Sequence, residues 1–113
     1  MDRLRYEETC SEVSQAPAVV LLRKAVALMD QGSIAIGTIC HSLWLLCADR
    51  TLLEGRKVTC AHNIICDVEN AGADVQYGDD GTVGSVVDGD LITAKHPAFT
   101  DELIDLFLKA IES

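Results

Sequence analysis

Cys40 and His41 are the pair in this chain best placed to do chemistry. They sit within Ser33–Trp44, SIAIGTICHSLW, where an apolar β-like run passes straight into the helix-like His41-Ser42-Leu43-Trp44-Leu45-Leu46. A nucleophile on a sharp strand-to-helix turn is held out of the sheet beside free backbone N–H groups. Those groups and the helix dipole favour an anion, so Cys40 is expected to be rich in thiolate. A thiolate attacks electrophilic carbon or is oxidised to a sulfinate. An adjacent histidine can move the proton if its ring reaches the sulfur. Thr38 and Ser42 flank Cys40 at the spacings where such an elbow needs small side chains, although the general pattern has Gly at both. The plainer readings are a small core cysteine and a solvent-facing histidine.

The remaining candidates read more weakly. Cys60, His62 and Cys66 form C-x-H-x-x-x-C, which matches no standard zinc pattern, so no metal is expected. His62 is expected at the mouth of the site, because loops at the C-terminal ends of strands form the crevice of parallel sheets. Cys47 is expected in the core, and Trp44 in packing beside the elbow. Asp79, Asp80, Asp88 and Asp90 lack calcium-loop spacing and read as solvated turns. Gly78–Gly84 lacks the lysine of a phosphate loop. No cofactor is expected. His96 before Pro97 reads as a helix-start residue on a loop able to approach the site.

The elements that would position these residues follow from periodicity. Val19, Val20, Leu22, Val26 and Met29 recur at helical spacing, with Pro17 in the first turn and Gly32 as the stop. Ile34–Ile39 reads as a fully buried strand and His41 to about Arg50 as a helix. Lys57–Cys60 is a strand, and Asn63 is expected to cap a helix over Ile64–Ala71 that Gly72 closes. Val75–Tyr77 is a strand and Gly78–Gly81 an acidic loop. Val86-Val87, Asp88-Gly89 and Leu91-Ile92-Thr93 predict a hairpin with a type I′ turn. After Pro97, Phe99, Leu103, Leu106, Phe107 and Ile111 make one apolar helix face. Helices alternating with short buried strands mean an α/β sandwich with a mostly parallel sheet.

The totals bound this picture. The 113 residues allow a single domain, 1–113, and 49% apolar content allows a real core. Nine basic against eighteen acidic residues give a net charge of −9, which argues against nucleic acid or an anionic membrane as partner. No apolar run approaches a membrane span. Five cysteines, an odd count at low density, fit a reducing cytoplasm.

ICHS followed by LWLL, then LLEGRKVTC, DVENAGA and VVDGDLIT, resembles the C-terminal part of the ThiJ/PfpI superfamily. That superfamily includes the intracellular PfpI-type peptidases and the parkinsonism-associated deglycase. The resemblance runs from about Pro17 to the end. It implies a flavodoxin-like three-layer α/β sandwich, with Cys40 as elbow nucleophile and His41 as the histidine of the peptidase-like branch. Asp2, in the opening DRLR, falls near the acidic residue that in that branch reaches a neighbouring subunit's site and orients the histidine. The family's first βαβ segment carries an acid that bonds the nucleophile and a glycine loop that completes the oxyanion hole. Neither is found in this sequence, Ser42 replaces the usual Gly, and Ala61-His62-Asn63 replaces a Pro-containing turn. The expectation is therefore an N-terminally truncated family domain, through a late start codon, natural truncation or fragmentation. Its open sheet edge would be covered by homo-oligomerisation.

Three functional expectations follow. The first is a cysteine hydrolase of peptidase or glyoxalase/deglycase type, acting on a peptide or small aldehyde through Cys40 and His41. The second is a redox-responsive stress protein or chaperone in which Cys40 senses oxidant. The third is an inactive family member that persists as a structural oligomer.

Overall fold

The computed structural model describes residues 17–79 and 81–112. Helix α1, Pro17–Asp30, buries Val19, Val26 and Met29 and is stopped by Gly32, whose φ of 79° favours a residue without Cβ. Strand β1, Ile36–Ile39, follows and leads to Cys40. Two short 3₁₀ segments, Ser42–Ala48 and Arg50–Leu52, come next. The expected helix over His41–Arg50 is thus corrected to tighter turns. In a helix of three residues per turn, Leu43 and Leu46 eclipse, and both are buried here. The apolar run packs its two leucines inward without needing α-helical geometry.

The rest of the chain is β2 Lys57–Val58, a 3₁₀ turn His62–Ile64, α2 Ile65–Asn70, β3 Asp74–Val75, β4 Tyr77–Gly78 and β5 Gly81–Thr82. Then come β6 Ser85–Asp88, β7 Leu91–Ala94, a 3₁₀ turn Pro97–Phe99 and α3 Thr100–Glu112. The central sheet runs β1-β7-β6. β1 is parallel to β7, with Ile36 opposite Leu91 and Ile39 opposite Ala94. β6 and β7 form the expected hairpin, with Asp88 opposite Leu91. Its two central residues are Gly89 and Asp90, and only Gly89 has positive φ. That is the type II′ pattern, not the expected I′, because I′ needs positive φ at both positions. β2 and β3 form a parallel pair. The expected loop Gly78–Gly81 is instead the turn of a small antiparallel hairpin, β4–β5.

Two helical layers flank the sheet, giving the expected α/β sandwich. The α3 residues Leu103 and Phe107 lie against Gly37 on one face of β1. On the other face a core forms from Val26, Met29, Leu43, Leu46, Leu52, Leu53, Val58, Ile64, Val68 and Leu91. The strand expected over Ile34–Ile39 is shorter and not fully buried: Gly37 is exposed, and among the described residues β1 pairs with a strand on one side only. Arg23 of α1 bonds and ion-pairs with Asp49, which caps the second 3₁₀ turn by accepting from the Thr51 N–H at 3.0 Å. Burial pushes the Asp49 carboxyl up, but the donors from Arg23 and Thr51 outweigh it and hold it below its ordinary value. This pair fastens α1 to the segment following the elbow.

Candidate active site

Cys40 is the one non-glycine residue with positive φ among those described, at 57°. Holding a non-glycine residue there costs on the order of 1–3 kcal/mol and persists only where the surroundings over-determine it. They do so here. The Cys40 N–H donates to the Ala94 carbonyl at 2.8 Å, which pins the end of β1 to β7. The Ser42 hydroxyl donates to the Ile39 carbonyl and accepts from the Ile39 N–H, both at 2.7 Å. Leu43, fully buried, anchors the far side of the turn. The small residue needed at position 42 is therefore a working one: its hydroxyl staples the elbow.

The turn brings the expected pair together. Cys40 Sγ lies 3.1 Å from His41 Nδ1. On the far side of the ring, His41 Nε2 lies 2.7 Å from Asn63 Oδ1. An amide oxygen only accepts, so Nε2 carries the proton and Nδ1 presents its lone pair to the thiol. That is the arrangement of a base beside a nucleophile, with a third group fixing the tautomer. Asn63 was expected to cap a helix. Instead α2 begins at Ile65 with Ile64 as N-cap and no side-chain cap bond. The short 3₁₀ turn His62–Ile64 leaves the Asn63 side chain free to reach His41. Asp2, expected to orient the histidine, lies outside the described residues.

The backbone can also serve a developing oxyanion. The Cys40 N–H is committed to Ala94, whereas no described residue accepts from the His41 N–H. The amide following the nucleophile is the usual oxyanion donor of an elbow.

Cys40 and His41 open into a cavity of about 260 Å³, lined also by Ala61, His62, Lys95, His96 and Phe99. His62 and His96 thus stand where they were expected to approach the site. Two glycines fix the walls. A Cβ on Gly81 would lie 2.7 Å from His62 Cε1, and one on Gly84 would lie 2.5 Å from Phe99 Cε1. Buried hydroxyls hold the loop after β2: Thr59 N–H donates to Thr93 Oγ1 at 2.9 Å, and Thr82 Oγ1 to the Cys60 carbonyl at 3.2 Å.

The other thiols stand apart from this chemistry. Cys60 is fully buried, and that burial, with the negative charge of Glu69, pushes its thiol up to about 11. Cys66 is exposed and Cys47 half-buried against the core. Trp44 packs beside the elbow as expected and donates from Nε1 to Asp67 at 2.8 Å. Asn63 and Lys95 are the site residues that sequence reasoning missed. Neither carries a local signal, since both act through contacts made by the fold.

The same fold recurs in solved structures. A ThiJ/PfpI domain protein from Brachyspira murdochii superposes with a TM-score of 0.66 at 16% identity, over 80% of this chain and 49% of that one. A two-domain protein from Anabaena variabilis, with DJ-1/ThiJ/PfpI-like and ferritin-like domains, gives 0.69 at 29% identity, over 92% and 27%. A Bacteroides thetaiotaomicron protein assigned provisionally as protease I gives 0.56 at 18% identity, over 88% and 53%. The chain therefore spans about half or less of the length of each of these structures. No curated protein matches it significantly. The family model described as DJ-1/PfpI matches residues 8–112, nearly the whole sequence. With the strained cysteine at the end of a parallel strand and the α/β layers around it, that match settles the lineage: the chain belongs to the DJ-1/PfpI family and has its flavodoxin-like α/β fold.

Proposed function

We propose that the protein is a cysteine-dependent hydrolase or glyoxalase/deglycase acting on a peptide or a small aldehyde. The observation that carries this reading is the continuous contact Cys40 Sγ–His41 Nδ1–Asn63 Oδ1, with Cys40 held at φ 57°. Nδ1 takes the thiol proton, and the resulting imidazolium stabilises the thiolate. The thiolate adds to the carbonyl carbon, forming a C–S bond while the carbonyl π pair moves to oxygen. The His41 N–H faces that oxygen, and His41 returns its proton to the leaving amine of a peptide or to the oxygen of an aldehyde adduct. The peptide route leaves a thioester; in a 2-oxoaldehyde adduct the aldehyde-carbon proton shifts to the neighbouring carbonyl carbon, which also gives a thioester. Water then adds to the thioester carbon, the C–S bond breaks, the acid departs and the thiol is restored. Asn63 positions the ring throughout.

Assays with methylglyoxal and a peptide panel test the reading. The expected result is multiple turnovers per chain, lost by about 10³-fold or more in Cys40→Ser. No turnover of either substrate, with one to two equivalents of hydrogen peroxide consumed at Cys40 per chain, would replace the enzyme with a single-use redox sensor. No reaction would leave a structural family member. Among the described residues no strand pairs with the outer edge of β1, which supports self-association as part of the same proposal.

A further inference from the structure

The chain has three histidines, His41, His62 and His96, and all three line the cavity that contains Cys40. Lys95 joins them, and among the described residues no acidic one does. That is an unusual concentration in a protein of net charge −9, where acidic residues outnumber basic ones two to one.

The donors are available. Lys95 Nζ gives one hydrogen bond, to the Thr82 carbonyl at 2.7 Å, which leaves two of its three N–H bonds unspent. No carboxylate among the described residues lies within ion-pair distance of it. Lys95 is half-buried, and its ammonium stands 5.8 Å from the Phe99 ring centroid, so its position is defined. His96 Nδ1 accepts from the Ala98 N–H at 3.0 Å. The neutral ring therefore carries its proton on Nε2 as a donor. His62 is held by the close approach of Gly81.

We propose that this cavity selects small substrates carrying a carboxylate next to the reactive carbonyl, the class of 2-oxo acids and aldehyde acids. Lys95 and His96 receive the carboxylate while Cys40 meets the carbonyl carbon. The proposal rests on Cys40 being the activated nucleophile of the proposed function. A cavity of about 260 Å³ suits a few heavy atoms, below the size of drug-like ligand sites. The apolar walls from Ala61 and Phe99 strengthen the ammonium–carboxylate attraction by lowering the local dielectric.

Alkylation by two reagents of equal reach separates the two readings. Iodoacetamide is neutral and iodoacetate anionic. The iodoacetamide rate at Cys40, relative to exposed Cys66, reads nucleophile activation. The ratio of iodoacetate to iodoacetamide rates reads anion selection. The expected ratio at Cys40 exceeds that at Cys66 by about tenfold, and Lys95→Gln removes most of that excess. His96→Gln, which keeps an uncharged donor, lowers it less, and Lys24→Gln on α1 leaves it unchanged. Glyoxylate should protect Cys40 from iodoacetamide at lower concentration than methylglyoxal does. A Cys40 ratio no higher than that of Cys66 in the unaltered protein overturns the proposal, whatever the iodoacetamide rate. A high ratio with ordinary iodoacetamide reactivity keeps the anion site and removes the nucleophile.

Discussion

Cys40 and Cys60 lie on adjoining loops, joined where the Ala61 N–H donates to the Cys40 carbonyl at 3.3 Å. Each follows the C-terminal end of a parallel strand, β1 or β2. Their fates are opposite. Cys40 is half-exposed, has positive φ, and touches an imidazole nitrogen. Cys60 is sealed in the core, and its negative neighbour Glu69 adds to the effect of burial. The same side chain is set beside an imidazole nitrogen in one turn and sealed among apolar groups in the other.

Thiol titration should show the contrast most strongly. With Cys60 pushed up to about 11, roughly one chain in a thousand carries that thiolate at pH 8. That is about a hundredfold fewer thiolates than an ordinary thiol carries, so alkylation followed by mass spectrometry should label Cys40 about 10² times faster than Cys60, or more, in the folded protein, with the difference lost in denaturant. Because folding raises the Cys60 value, the neutral buried thiol contributes full stability below its ordinary value near 9. That contribution should fall as pH rises from there through about 11. Comparable labelling of the two thiols would erase the comparison.

The next effect is at the orienting amide. Asn63→Ala should slow Cys40-dependent turnover by about tenfold to a hundredfold, because the ring loses its fixed tautomer and direction. Asn63→Asp should recover much of it, since a carboxylate also accepts from Nε2–H, and the recovery should appear in the pH profile. The smallest effect is at the staple. Ser42→Ala removes two hydrogen bonds to Ile39 at a site open to water, and should cost about 1 kcal/mol in chemical denaturation.

Much of the Cys40 side of this contrast can be read from residue order. An apolar run that ends in Cys-His and resumes as Leu-Trp-Leu-Leu places the Cys40–His41 pair, and the turn signals around Gly32, Gly72 and Asp88-Gly89 place the flanking elements. His62 and His96 follow from the rule that loops at strand ends build the crevice. Asn63 does not follow, because an asparagine before an apolar run is equally a helix cap, and its use depends on an approach by His41, 22 residues earlier. The 3₁₀ geometry after the elbow is also hidden, since SLWLLCA buries leucines three apart in either helix type. Lys95 is invisible for a related reason: its partner Thr82 is brought to it by the sheet.

The Ser42 hydroxyl has an effect beyond the elbow. In the parallel β1–β7 ladder, the N–H groups of Ile36 and Cys40 face β7, so those of Gly37 and Ile39 face outward. Ser42 occupies both outward groups of Ile39. Any strand that adds to this edge, from whatever source, can zip along Gly37 but runs out of ladder one step before the cysteine. One hydroxyl therefore acts as a length gauge for sheet extension along β1.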